Sequence, residues 1–422
     1  MQWFEDAKLG IFIHYGIYAV NGIPESWSFY NGQISYADYM KQLDGFTASN
    51  YNPETWAELF AEAGAKYAVL TSKHHDGVAL WDTKLSELCV VQKTPAKRDL
   101  LTPYANALRK NGLKVGIYFS HLDWSHPNYA TVYNGPQKAS NHSNPFDYPK
   151  GEVDLDKWNS FVAFRNGQLK ELDELVKPDL WWFDGGWEHN AIEWDAKEIR
   201  EMLLKKNPRT IINERLTDNG DYSTPEQNFP ITRPQEKYWE LCLTTNDNWG
   251  FQHRDHHWKT PKEIITIFAD VISNGGNLLL DIGPMEDGTI PKEQEGILKE
   301  LGRWNHQHGE AIFGTIPGLR NGHFYGPSTM SKDSTCLYLF LPGNARGPIE
   351  VKGILNDVMT AEVLGTHKSC ATKIVGKISW SAKPGLLFIE VPQEEKWLDP
   401  MMTVIKLTFE KPLKIYSGSG GL

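Results

Sequence analysis

Leu180-Trp181-Trp182-Phe183-Asp184-Gly185-Gly186 is the stretch on which the fold turns. Four large apolar residues in succession cannot alternate between a buried and a wet face. The run therefore reads as a strand covered on both sides, as in a parallel sheet. Six further short runs share this texture: Leu9 to His14, Tyr67 to Thr71, Lys114 to Phe119, Thr210 to Asn213, Trp239 to Leu243 and Asn277 to Asp281. Segments of helical periodicity lie between them, at Pro53 to Ala63, Leu100 to Lys110, Asp156 to Lys177, Trp194 to Lys206 and Lys262 to Ser273. Pro53, Pro103 and Pro261 fall near helix starts, where a missing N–H is no loss. Seven β-then-α units over roughly 300 residues predict an α/β fold with a (β/α)8-like, TIM-type barrel rather than an open doubly wound sheet. The eighth strand is placed around Glu310 to Gly314.

Outward from this region the texture changes near residue 320. Before residue 260 lie 13 of the 16 tryptophans and 10 of the 14 histidines. Beyond it come short alternating segments: Cys336 to Leu341, Ile349 to Lys352, Thr360 to Leu364, Leu386 to Val391 and Thr403 to Phe409. Gly, Pro, Asn and Asp separate them, which predicts an antiparallel β-sandwich. The chain is accordingly divided into a catalytic barrel over 1–320, a sandwich over 321–416 and a linker-like tail over 417–422.

The chain has 422 residues, 40% hydrophobic and 23% charged, the composition of a globular protein and not of a disordered one. Its formal charge of −10 argues against nucleic acid or an anionic membrane surface as partner. Cys89, Cys242, Cys336 and Cys370 are widely spaced, so buried free thiols are expected in place of a disulfide framework or zinc knuckle. No apolar run reaches the roughly 18 residues of a membrane helix. The expected location is cytoplasmic, or periplasmic or secreted if an export signal has been removed. A homo-oligomer is left open.

In such a barrel the active site lies at the C-terminal ends of the strands. Those ends carry His14-Tyr15-Gly16, Ser72-Lys73-His74-His75-Asp76-Gly77 with Trp81 beyond, Tyr118 to His121 with Asp123-Trp124, Asp184 to Glu188 with Trp187, Asn213-Glu214-Arg215, and a sixth segment running on to Trp249. Imidazoles, carboxylates and indoles gathered at one rim suit a polyhydroxylated ligand, whose hydroxyls take hydrogen bonds while its C–H faces meet aromatic rings. Glu25-Ser26-Trp27 reads either as loop packing or as a rim contact to a sugar. His74-His75 could hold a metal, but successive strand residues point to opposite faces, and hydrogen bonding to a ligand is the better reading. His253-Arg254-Asp255-His256-His257 reads as a solvated loop ahead of a metal cluster. Asp281 and Asp287 are read as turn caps, and Lys292 to Lys299 as a solvated helical face. Asp184 differs from these, because a carboxylate ending so apolar a strand needs a reason to be there. As a nucleophile it requires a second carboxylate across the bond being broken, and Glu226, Glu240, Glu214 and Glu188 are the candidates.

Gly10-Ile-Phe-Ile-His-Tyr-Gly16, Ser72-Lys-His-His-Asp-Gly77, Trp182-Phe-Asp-Gly185, Tyr238-Trp-Glu240 and Asn277-Leu-Leu-Leu-Asp-Ile-Gly-Pro284, with Asp287-Gly-Thr-Ile-Pro291, resemble the family 29 glycoside hydrolases, the α-L-fucosidases. The resemblance runs in family order from about residue 3 to residue 318. It implies a retaining exo-hydrolase of terminal α-L-fucosides, a barrel followed by a sandwich, and no metal or organic cofactor. Asp184 corresponds to the nucleophile. His14, His74, His75 and Tyr118 correspond to ligands of the fucose hydroxyls, and Trp81 and Arg215 to pocket residues. Glu25, Trp27, Trp187 and Trp249 join them as expected substrate contacts. Glu226 is placed ahead of Glu240 as acid/base, because a polar loop from Asp218 to Pro230 can carry a carboxylate over the sugar. Glu240 begins an apolar strand and would be buried. The alternatives are a retaining glycosidase for a related sugar such as an α-L-galactoside, a metal-dependent barrel hydrolase, and a catalytically silent fucose-binding protein. The expected partner is a fucosylated oligosaccharide or glycoconjugate.

Overall fold

The computed structural model describes residues 1–129, 154–228, 231–343, 345 and 347–418. Residues 229–230 of the polar loop and 419–422 of the tail lie outside the described residues.

All seven apolar runs are strands of one parallel sheet: β1 Leu9–Ile13, β2 Tyr67–Lys73, β3 Lys114–Ser120, β4 Leu180–Asp184, β5 Ile211–Ile212, β6 Glu240–Thr244 and β7 Asn277–Ile282. Their order is β5-β4-β3-β2-β1-β7-β6, so first and last strands are neighbours and the sheet curls back on itself. Every residue of β1, β2, β4, β6 and β7 is buried, as a sheet covered on both faces requires. Alternation along the strands sends Phe12, Val69, Tyr118, Trp182, Cys242 and Leu279 into one inner cluster. Ile11, Ile13, Leu70, Ile117, Trp181 and Phe183 join the larger core instead, together with apolar residues of the helices. Helix starts follow the proline signal: Asn52 caps Pro53–Glu62, and Thr260 with Glu263 forms a capping box on Pro261–Ser273.

The expected eighth strand is corrected. Glu310 to Ile312 is the last turn of a helix, Lys292–Ile312. Its stripe of Ile297, Leu298, Leu301, Trp304, Ala311 and Ile312 is helical in period and buried. The ladder stays open between β5 and β6. Residues 222–227 cross that gap through isolated parallel bridges, Asn213 to Tyr222 on one side and Ser223 to Trp239 and Glu226 to Cys242 on the other. The backbone N–H groups of Glu240 and Cys242 donate to Ser223 and Pro225, at 2.9 and 3.1 Å.

Two antiparallel sheets follow. One has six strands, β8 Ile316–Pro317, β9 Ser328–Met330, β10 Cys336–Leu341, β12 Thr360–Val363, β13 Lys368–Ser369 and β16 Thr403–Thr408. The other has three, β11 Pro348–Lys352, β14 Thr372–Val375 and β15 Leu386–Glu390. Leu337, Leu339, Val351, Ile389, Ile405 and Leu407 fill the space between them. Helix Lys292–Ile312 ties these sheets to the parallel one: Arg303 grips Asp399 at 2.8 and 3.0 Å, and the Trp304 indole donates to the Met402 carbonyl at 2.8 Å. All four cysteines are free thiols, Cys336 half-buried and the others buried. No helix among the described residues is long and apolar enough to cross a membrane.

Candidate active site

Asp184 is the last residue of β4 and is 8% exposed. Gly185 turns the chain away at φ 80°, where a Cβ would also lie 2.4 Å from Leu122. Two donors hold the carboxylate: the Tyr118 hydroxyl at 2.9 Å on Oδ2 and Arg215 Nη1 at 2.9 Å on Oδ1. The Arg215 guanidinium carbon sits over the Trp182 ring, 4.5 Å from its centre, and Nε donates to Thr224 Oγ1 at 3.0 Å. Its other terminal nitrogen donates to Glu226 Oε2 at 2.8 Å. One planar fork thus carries Asp184 on one tine and Glu226 on the other. Burial works against the Arg215 charge, but Asp184 and Glu226 hold the guanidinium above its ordinary range.

The three expected histidines converge beside Asp184, each tethered through Nδ1. His14 meets Asp281 at 2.6 Å, His74 meets Ser26 Oγ at 2.6 Å and His75 meets Ser120 Oγ at 2.6 Å. His75 Nε2 lies 3.8 Å from Asp184 Oδ2. Fixing Nδ1 fixes the ring plane and leaves the Nε2 atoms for a ligand. Burial pushes all three imidazoles well below their ordinary value, with neighbouring cationic or imidazole groups adding to it. Burial also pushes the Asp281 carboxyl well above its ordinary value. The reading of Asp281 as a turn cap is therefore corrected: it lies inside β7 and orients His14.

The four candidate carboxylates part company. Glu226 is exposed, on the segment that spans the gap between β5 and β6. Glu240 is fully buried, accepts from the Trp182 indole at 3.0 Å and from the Tyr67 hydroxyl, and is pushed up to about 7 by burial. Glu214 Oε1 accepts from the Thr224 amide and hydroxyl, and buried Glu188 accepts from the Tyr129 hydroxyl. Glu25 is buried, accepts from the Gly250 amide at 2.5 Å, and is pushed up to about 7 by burial. Its neighbour Trp27 meets the His75 ring edge-on at 5.4 Å and stacks on Trp187 at 6.2 Å. Trp187 is 57% exposed, and half-buried Trp249 leans on His14 at 5.1 Å. Trp81 is buried, its indole donating to Glu171 on the helix Leu155–Leu175 at 3.2 Å. Trp124, not among the expected contacts, is 5.0 Å from His75 and stacks on Tyr30 at 4.2 Å.

Among the described residues, the one group whose ligand atoms converge as a metal site would need is Asp247, Asp255 and His257, in the loop between β6 and the helix Pro261–Ser273. His257 Nδ1 already pairs with Asp247 there at 2.8 Å, and Asp255 accepts the Asp247 amide at 3.0 Å and the Asn248 side chain at 2.7 Å.

Comparison with known proteins places this arrangement. The sequence profile of the Alpha-L-fucosidase family matches residues 1–310. Human tissue alpha-L-fucosidase is 32% identical over 433 residues, covering 93% of this chain and 85% of that protein. Alpha-L-fucosidase isoenzyme 1 from Paenibacillus thiaminolyticus superposes with a TM-score of 0.86 at 33% identity, covering 97% and 98% of the two chains. A family 29 alpha-L-fucosidase from Bacteroides thetaiotaomicron, trapped as a covalent intermediate with 2-fluoro-fucosyl fluoride, superposes with a TM-score of 0.83 at 26% identity, covering 96% and 95%.

Proposed function

The chain belongs to the alpha-L-fucosidase family, and from that premise we propose how the strand-end residues divide the work of a retaining glycoside hydrolase. Asp184 attacks the anomeric carbon of a terminal α-L-fucoside as Glu226 gives its proton to the departing oxygen. A β-fucosyl ester on Asp184 results. Glu226 then takes a proton from water, which attacks the same carbon and releases α-L-fucose and free Asp184. Tyr118 and Arg215 hold the Asp184 carboxylate in place for attack. His14, His74 and His75 receive the ring hydroxyls through Nε2, while Trp27 and Trp249 cover apolar faces of the sugar. We read the parallel sheet, with 222–227 across its gap, as a (β/α)8-like barrel, and the antiparallel sheets, which begin with β8 at Ile316 rather than at residue 321, as a sandwich.

The observation that carries this reading is Arg215 holding Asp184 and Glu226 on one guanidinium. Two carboxyls sharing a fork stand close, which suits the spacing of roughly 5–5.5 Å that a retaining pair requires. Presence of both carboxylates also speaks against a silent binding protein. The test is to label the protein with 2-fluoro-fucosyl fluoride and map the adduct by peptide mass spectrometry. Label on Asp184, absent in Asp184→Ala, is expected. A stable adduct on any other carboxylate would overturn the assignment.

A further inference from the structure

Beside Arg215 and Trp187 opens a cleft of about 750 Å³, between the turn that follows β4 and the turn that follows β5. It is continuous with the site, since Arg215, which lines it, is bonded to both Asp184 and Glu226. Trp187 forms one wall. It stacks on Trp27, meets His75 edge-on at 6.0 Å, and is 57% exposed, an unusual state for so large an apolar ring. Thr217 and Asp218 form the opposite wall, both in left-handed backbone at φ 43° and 62°, which a β-branched residue rarely adopts. Glu214 Oε2 and Thr217 Oγ1 at this wall have no hydrogen-bond partner within the protein. Exposed Glu193 and Asp218 carry the negative charge at the cleft, half-buried Glu214 and buried Glu188 also belong to its lining, and His189 is 3.6 Å from Glu193. The one guanidinium there, Arg215, is already paired twice.

Resting on the fucosidase reading above, we propose that this cleft is the leaving-group subsite and that it takes an uncharged sugar in preference to an acidic one. An indole face suits the C–H surface of a pyranose. The exposed carboxylate oxygens of Glu193 and Asp218 can accept from its hydroxyl or amide hydrogens. A carboxylate or sulfate on the leaving sugar would meet the exposed carboxylates of Glu193 and Asp218, while Arg215 is already paired twice.

The experiment compares kcat/KM on three substrates: α-L-fucosyl fluoride, a fucosyl glucoside, and the fucosyl glucuronide linked through the same hydroxyl. Wild type is expected to favour the glucoside over the glucuronide about tenfold at low ionic strength, with the gap closing as salt screens the carboxylates. Glu193→Gln with Asp218→Asn is expected to narrow that gap severalfold. Trp187→Ala is expected to lose about tenfold more on the glucoside than on the fluoride, whose leaving group cannot reach the indole. Equal rates on glucoside and glucuronide at low salt, or equal losses of Trp187→Ala on glucoside and fluoride, would overturn the subsite. Failure of the wild type to hydrolyse the fluoride would instead strike the fucosidase reading.

Discussion

Replacing the two candidate acid/bases one at a time should give opposite phenotypes, because their surroundings are opposite. Glu240 accepts from two buried donors, the Tyr67 hydroxyl and the Trp182 indole. Glu240→Ala strands both, at about 1–3 kcal/mol each, so a loss of about 2–6 kcal/mol in stability is expected. It also frees the Trp182 ring on which Arg215 rests, so activity should fall similarly on every leaving group. The Glu226 side chain is 42% exposed and its ion pair with Arg215, screened by solvent, is worth only about 0–1 kcal/mol. Glu226→Ala should melt within a degree or two of wild type. Loss of general acid catalysis should lower its rate on natural fucosides by about 10²–10⁴, and by much less on a nitrophenyl fucoside whose leaving group needs no proton. Azide should restore turnover of Glu226→Ala with retained configuration, giving the α-fucosyl azide, and should do nothing for Glu240→Ala. The assays are calorimetric melting, a leaving-group series and NMR of the azide product. A stable Glu240→Ala protein that shows the leaving-group dependence and makes the α-azide would refute the reasoning and exchange the two roles.

The same buried carboxyl gives a pH signature. Its folded value of about 7 lies above the ordinary 4.5, so its stabilisation is present below about pH 4.5 and is lost as pH rises through 7. The melting temperature of wild type relative to Glu240→Gln should therefore fall between pH 5 and pH 8; a constant difference would count against the burial argument. The histidines act in the reverse sense: folded values well below 6.5 make their contribution present above that pH and lost as pH falls. His14→Ala, His74→Ala and His75→Ala should each weaken inhibition by free fucose by about 1–3 kcal/mol, while EDTA leaves the wild-type rate unchanged. Recovery of activity by a stoichiometric metal after chelation would end that assignment. Arg215→Met should slow the second step more than the first, so a good-leaving-group fucoside should show a pre-steady-state burst absent from wild type; rate-limiting formation of the fucosyl-enzyme would be the contrary result.

Much of the parallel sheet was legible because burial on both faces leaves a plain mark, a short run with no polar alternation. The eighth strand was misplaced for a related reason. Ala311-Ile312-Phe313 looks like such a run, but Ala311 and Ile312 belong to a stripe that starts at Ile297 and repeats with helical period. Asp281 was undervalued although it follows an apolar run, Leu278 to Leu280, as Asp184 follows Leu180 to Phe183, and the argument applied to one would have found the other. Ser26 and Ser120 carry no such mark. A single hydroxyl becomes a histidine tether only when loop and strand bring it within 2.6 Å, across 48 residues for His74 and 45 for His75. Trp81 sits next in sequence to the His74-His75 segment, yet its indole turns to Glu171, 90 residues on, and only the fold could show that.

If Glu226 is the acid/base as proposed, Arg215 gives a reason for its place on the segment that bridges the sheet gap. Before reaction the guanidinium serves two carboxylates, and neither has it alone. In the proposed mechanism, bond formation turns Asp184 into an ester and removes its charge, which leaves Arg215 with the Glu226 carboxylate. Arg215 then stands with Glu226 at the moment when a base is needed to activate water. For one cation to pass between two roles in this way, both carboxylates must meet the same planar fork, and the fork must not wander. Trp182 beneath it and Thr224 beside it supply that rigidity. Thr224 lies two residues before Glu226 in the bridging segment, pinned by Glu214 through its amide and hydroxyl. The chain that closes the space between β5 and β6 thus sets the position of both the cation and the acid/base it carries.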